Sequence, residues 1–269
     1  MKRVFCFAIV GWVVITGGAV AVRAQAPSAD EFMRRAYLAR YYSGDDMQAR
    51  VIMRLVSKDG RERVRELTMS RRDLQKGGEQ RYFLYFQRPP DVRDTAFLVW
   101  KYPGRDDDRW LYLPALKLVR RIAASDKHTS FVGSDFTYED VSGREPEEDT
   151  HRLLREDKAA GRDAYVIESL PKDPGNADFS RRLSWIDKTT WLPLKEEYYD
   201  RRGDLARVFT AEELKEVQGF WTIVKRTMKN TQSGHWTEIV YAEVRYNRHF
   251  TPELFAERSL RAPPAELTK

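Results

Sequence analysis

Asp108-Arg109-Trp110-Leu111-Tyr112-Leu113-Pro114-Ala115-Leu116, Lys117-Leu118-Val119-Arg120-Arg121-Ile122 and Phe131-Val132-Gly133-Ser134-Asp135-Phe136-Thr137-Tyr138-Glu139-Asp140 make up a single stretch. Its first two parts are short β-type runs either side of a proline, which interrupts a ladder because it has no N–H to donate. A polar segment then leads into a tight cluster of aromatic and acidic residues. Arg120 and Arg121 are the expected ion-pair partners of Asp135, Glu139 and Asp140. Two readings stay open: a hairpin and buckled loop held by salt bridges, or a loop that shapes the mouth of a ligand cavity.

Outward from this stretch the chain alternates. Met47, Ala49, Val51, Met53 and Leu55 recur at a period of two, the mark of a half-buried strand. Asp59-Gly60 is a hairpin turn. Arg81 to Gln87 and Thr95 to Tyr102 are apolar on both sides, and the pattern of short strands and turns runs on to Trp236 to Tyr246. Helical spacing occurs only near the ends. One helix is predicted from Ala29 to Tyr42, capped by Ser28 or Asp30 and stopped by Gly44, and a short one at Thr251 to Phe255. The count is ten or eleven strands in consecutive hairpins, which predicts a mainly β antiparallel barrel or sandwich. The expected domain covers 27–262, with a loose Pro-rich tail at 263–269.

The chain has 269 residues, 42% hydrophobic and 33% charged, enough for a single sizeable core. A mean hydropathy of −0.64 excludes a polytopic membrane protein. Residues 1–26 read as a secretory signal peptide: Lys2 and Arg3, an apolar run from Val4 to Val22, and Ala24-Gln25-Ala26 as cleavage site, cut after Ala24 or Ala26. The rival reading is an uncleaved anchor. Discounting Lys2, Arg3 and Arg23 lowers the net charge of +6 to +3, too small to imply nucleic acid. Cys6 is the one cysteine and lies in the leader, so no disulfide or thiolate site is expected afterwards. Cleavage would leave no segment for stable membrane insertion, and the expected location is the periplasm.

Catalytic patterns are sparse. His128, His151, His235 and His249 are isolated, with no zinc-binding spacing. Asp106-Asp107-Asp108 lacks the spaced ligands of a calcium loop. Ser134 lacks the second glycine of a nucleophile elbow, which weighs against a Ser134/His128/Asp135 hydrolase. A carboxylate pair acting on envelope glycans or lipids stays open, since its separation in space decides it. No catalytic residue, metal or cofactor is expected.

Large apolar residues instead occupy both faces of several strands: Phe83, Tyr85, Phe97 and Val99 against Leu84, Phe86, Leu98 and Trp100. Either a second layer covers one face, or that face lines a cavity. Strand alternation nominates Val51, Met53, Leu55, Leu84, Phe86, Leu98, Trp100, Leu183, Trp185 and Val240 as cavity wall. Phe32, Leu38 and Tyr41 are the candidate lid. Arg120, Arg121, Asp135, Glu139 and Asp140 are the candidate rim. Such a hollow suits an acyl chain, held by about 0.8 kcal/mol per methylene.

The Asp-Arg-Trp-Leu-Tyr-Leu-Pro-Ala-Leu run, Val-Arg-Arg-Ile and Gly-Ser-Asp-Phe-Thr-Tyr-Glu-Asp together resemble the LolA-like outer membrane lipoprotein-sorting group, from about Tyr37 to Phe255. The resemblance implies a half-open antiparallel β-barrel closed by helices. It also implies a periplasmic carrier or chaperone that moves a lipoprotein acyl chain or other lipid-like cargo between inner and outer membrane. The group is linked with efflux-type transporters, so an inner-membrane transporter is an implied partner. The alternative is an accessory or sensor subunit that docks on a transporter without carrying lipid.

Overall fold

The computed structural model describes residues 27–268. The signal peptide expected at 1–26 lies outside them. Among the described residues no helix is long and apolar enough to cross a membrane.

Thirteen strands form one antiparallel sheet. Helix α1 (Ala29–Tyr41) precedes a first meander of β1 (Asp46–Val56), β2 (Glu62–Asp73), β3 (Gln80–Arg88), β4 (Ala96–Lys101), β5 (Asp108–Leu113) and β6 (Leu118–Ile122). The second meander is β7 (Asp149–Ala159), β8 (Arg162–Pro171), β9 (Arg181–Asp187), β10 (Pro193–Tyr199), β11 (Leu205–Val217), β12 (Phe220–Asn230) and β13 (Trp236–Tyr246). Pairing of β1 with β13 joins the two meanders mid-sheet and leaves β6 and β7 as the open edges. The curled sheet is a half-open antiparallel barrel. Both edge strands expose most of their side chains. The runs at Lys117 to Ile122 and Thr150 to Glu156 read as strands, yet the sequence count of ten or eleven falls short of thirteen.

Residues 123–148 must connect one sheet edge to the other, and they form a strap across the concave face. Within it lies a short helix, α2 (Tyr138–Ser142). Thr137 caps α2 by accepting from the Asp140 amide, while the Asp140 carboxylate accepts from the Thr137 amide. Phe131, Phe136 and Tyr138 of the strap are buried in the main core with the odd-numbered residues of β1 from Met47 to Leu55. Phe97 lies 5.2 Å from both the Phe131 and Tyr138 ring centres.

The apolar excess on both strand faces has a second layer as its explanation. Phe83, Leu98 and Trp110 face away from the cavity and pack beneath Phe250, Phe255, Leu260 and Leu267. The tail expected to be loose thus docks: α3 (Ala265–Thr268) places Leu267 in full burial. Gln48 and Gln87 donate to the carbonyls of Glu266 and Thr268 at 2.7 and 2.6 Å. One apolar residue among polar neighbours gave no periodicity to read.

Candidate functional site: an apolar cavity beneath helix and strap

The concave face of β1, β2, β3, β12 and β13 carries an apolar floor, and the C-terminal turn of α1 and helix α2 lie over it. Val51, Met53, Leu67, Met69, Leu84 and Ile239 line the cavity, with Tyr41, Tyr241 and Tyr246 nearer its margins. The cavity volume is about 100 Å³. An apolar cavity of about 150 Å³ just admits benzene, so a longer guest requires the cover to move. Met47, Met53 and Met69 are flexible side chains that can repack around such a guest.

Besides the strap aromatics and the apolar stripe of α1, polar contacts fasten the cover. Arg71, on β2, is almost fully buried and donates to three carbonyls at the end of α1: Tyr41, Ser43 at 2.5 Å and Gly44 at 2.9 Å. The unsatisfied carbonyls at a helix C-terminus attract a cation. Its Nε lies 3.4 Å from Asp73. Burial pushes the Asp73 carboxyl up to about 6, with Arg71 acting in the opposite direction. From β4, the buried Lys101 donates to the Gly143 carbonyl at 2.7 Å and pairs with Glu145 at 3.1 Å. Glu145 in turn accepts from the Tyr37 hydroxyl at 2.6 Å, which couples strap to helix.

Beneath α1 lies a layer of buried charge. Arg40 donates to Glu196 at 2.9 Å and stacks over Phe209 at 4.5 Å. Arg182 pairs with Asp149 at 3.2 Å, and Arg207 bridges Asp140 at 3.0 Å and Asp178 at 2.5 Å. Burial favours the neutral form of Glu196, but Arg40 and Arg182 outweigh it and hold the carboxyl below its usual range.

Of the expected wall, Val51, Met53 and Leu84 line the cavity, whereas Leu55 and Phe86 are packed into the core away from it. Leu98 and Trp100 face the opposite side, where the Trp100 indole donates to the Phe255 carbonyl at 2.8 Å. Pairing of Leu84 with Phe97 and of Phe83 with Leu98 sets that parity. Leu183 and Trp185 belong to a separate cluster with Ala164, Val166 and Leu194. Val240 is turned away by a register shift. Met47 faces Tyr246 and Ala49 faces Val244, but Val51 faces Tyr241 and Met53 faces Ile239. The extra residue between Tyr241 and Val244 switches the face, so Ile239 and Tyr241 stand where Val240 is expected.

In the lid, Tyr41 lines the cavity, but Phe32 stacks on Tyr165 at 4.5 Å in a satellite cluster. Leu38 is not among the lining residues. The buried stripe of α1 is Phe32, Met33, Ala36 and Tyr37, rotated from the expected one.

The rim pairs differently from expectation. Arg120 meets Asp126 at 3.6 Å and Arg121 meets Asp108, both in solvent. Asp135 instead accepts from the Thr237 hydroxyl at 2.7 Å and lies 2.6 Å from His235 Nδ1. Glu139 meets Lys127 at 2.9 Å, and Asp140 takes Arg207. The strap acids thus tie it to β11, β13 and itself. Met69, Ile223 and Tyr241 were missed, because only register and sheet curl bring them to the cavity: Met69 faces Leu84 and Tyr241 faces Val51. The Ser134 hydroxyl donates to the Phe131 carbonyl at 2.8 Å, so Ser134, His128 and Asp135 form no triad. Among the described residues, no group of three or more His, Cys, Asp or Glu is placed to hold a metal.

Gly143, at the end of α2, is a point of close approach. Its φ is +81°, and an added Cβ would lie 2.5 Å from Tyr41 Cζ. Gly143→Ala is expected to cost about 2 kcal/mol through backbone strain and displacement of Tyr41. A thermal or urea unfolding curve checks this; an unchanged midpoint would refute it.

A family model described only as an uncharacterized protein matches residues 78–262. An outer membrane lipoprotein-sorting protein domain from Vibrio parahaemolyticus has 32% identity and a TM-score of 0.80, with 87% of this chain and 98% of that chain covered. A DUF1329 family protein from Desulfovibrio piger has 29% identity and a TM-score of 0.79, over 85% of this chain and 97% of that one. A LolA superfamily protein from Nitrosomonas europaea, at 21% identity, shares the fold with a TM-score of 0.67 over 87% and 99% of the two chains. None of the curated proteins matches.

Proposed function

We propose that this chain, which belongs to the LolA-like family of outer membrane lipoprotein-sorting proteins, is a periplasmic carrier that shelters the acyl portion of a lipoprotein or lipid-like cargo. The fold is a carrier fold rather than that of an enzyme family. One observation carries the reading: an apolar, methionine-bearing cavity lies under a cover fastened by hydrogen bonds and ion pairs. Apolar walls supply affinity without direction, and polar fastenings can be exchanged for water when the cover lifts. Cavity opening would expose apolar surface, which the cargo then covers. Transfer between inner and outer membrane, with a transporter as donor or acceptor, completes the proposal.

The test is native mass spectrometry of protein secreted from its own leader and purified without detergent, followed by organic extraction. A discrete adduct that extracts as lipid is expected. Met53→Trp, which fills the cavity from β1, should lose that adduct and reduce uptake of a fluorescent fatty acid by about tenfold or more. A clean unliganded mass together with no uptake would sink the carrier reading.

A further inference from the structure

The cavity lining contains three arginines, Arg40, Arg71 and Arg226, and a single carboxylate, Asp140. Arg40 is matched by Glu196, Arg71 by Asp73, and Asp140 by Arg207. Arg226 differs: among the described residues, no carboxylate lies within ion-pair distance of it. Its guanidinium sits over the Tyr241 ring at 4.4 Å and donates to the Tyr241 hydroxyl at 2.7 Å. Its remaining contact is the Ile223 carbonyl at 3.5 Å. A guanidinium has five N–H donors, so most are left for a ligand. It is also half-buried at the edge of an apolar hollow, where charge-assisted hydrogen bonds strengthen.

A second donor lies at the same cavity. The Tyr41 hydroxyl has no hydrogen-bond partner among the described residues, and burial pushes it up to about 12. It therefore stays a neutral donor. Arg40 and, more weakly, Arg226 oppose that rise, and Asp140 and Glu196 add to it. A register shift between Ala211 and Leu214 in the pairing of β11 with β12 brings Arg226 and Ile223, three residues apart, to one cavity.

We infer that the cavity selects an amphiphile with an anionic oxygen head, a carboxylate or phosphate, and that Arg226 is the residue that anchors this head while the methionine-lined floor takes the chain. This rests on the carrier reading and narrows it: a neutral acyl ester would leave Arg226 unanswered.

The test compares cis-parinaric acid with its methyl ester, by fluorescence titration on protein purified after secretion. The acid is expected to bind the wild type about tenfold more tightly than the ester, one charge-assisted contact's worth. In Arg226→Gln this ratio should fall to about one, and Arg226→Lys should restore part of it. Equal binding of acid and ester by the wild type overturns the inference and leaves the carrier reading standing. A wild-type ratio that persists in folded Arg226→Gln removes Arg226 from the role. Displacement of the acid by inorganic phosphate alone would place a free-anion site there and overturn it too. Binding of neither probe overturns both readings. The wild-type ratio is decisive even where a variant fails to fold.

Discussion

Arg71→Leu is expected to unfasten the end of α1 from the sheet and to lower unfolding free energy by about 4 kcal/mol. The substitution leaves the buried Ser43 and Gly44 carbonyls without the Arg71 donor and Asp73 without its ion-pair partner, while Gln80 still donates to the Tyr41 carbonyl and to Asp73. Leucine fills part of the volume but satisfies none of these groups. Urea unfolding measures the loss, and hydrogen exchange at Tyr42 to Asp45 should accelerate while the mid-sheet strands stay protected. The pH dependence carries a sign. The Asp73 carboxyl is already raised to about 6 by burial, with Arg71 restraining it. A raised carboxyl binds its proton in the folded state, so it favours folding at low pH and costs stability as pH climbs through its folded value. Without Arg71 that value moves higher. The variant should therefore be most impaired above pH 6 and partly recover near pH 5. A stability loss within about 0.5 kcal/mol, the range of ordinary surface substitutions, would show that Arg71 is no fastening.

Glu196→Gln should cost about 3 kcal/mol, because it leaves Arg40 and Arg182 sharing a buried site with one negative charge fewer. Glutamine keeps the size and the hydrogen-bonding reach toward Tyr198 and Ser184, so the experiment isolates charge from packing. The native carboxyl is held below its usual range. Its contribution is present above the unfolded value and is lost as pH falls through the folded one. In the wild type this steepens acid unfolding; in the variant the acid limb should flatten. Paired urea titrations at neutral and acid pH measure the difference. Parallel curves for the two proteins would remove Glu196 from the acid limb.

Both experiments probe the same design: apolar contacts form the container and polar contacts fasten its cover. The helix end is held by Arg71, the strap by Lys101 and the layer beneath by Arg40 with Glu196. A carrier of the kind proposed gains from this division. Hydrogen bonds reform with water at small net cost when the cover lifts.

Much of the scaffold was legible in the residues themselves. The odd-numbered positions of β1, the Asp59-Gly60 hairpin and the capped first helix follow from local rules that need no distant partner. So does the presence of apolar side chains on both faces of β3 and β4, although only the C-terminal segment shows what covers the second face. The motif at Phe131 to Asp140 announced an aromatic, acidic element, and it became the strap. What tertiary structure decided is which face and which partner. A single extra residue in β13 exchanged Val240 for Ile239 and Tyr241, because side chains alternate and one step reverses every later one. Asp140 found Arg207 and Asp135 found Thr237, rather than the nearer Arg120 and Arg121. Those pairs are made when the sheet curls and the strap crosses it, and closure of that long loop is a property of the whole sheet. Residue types therefore determined a two-faced antiparallel sheet with a charged, aromatic cover. Register, bulges and closure determined which side chains meet inside it.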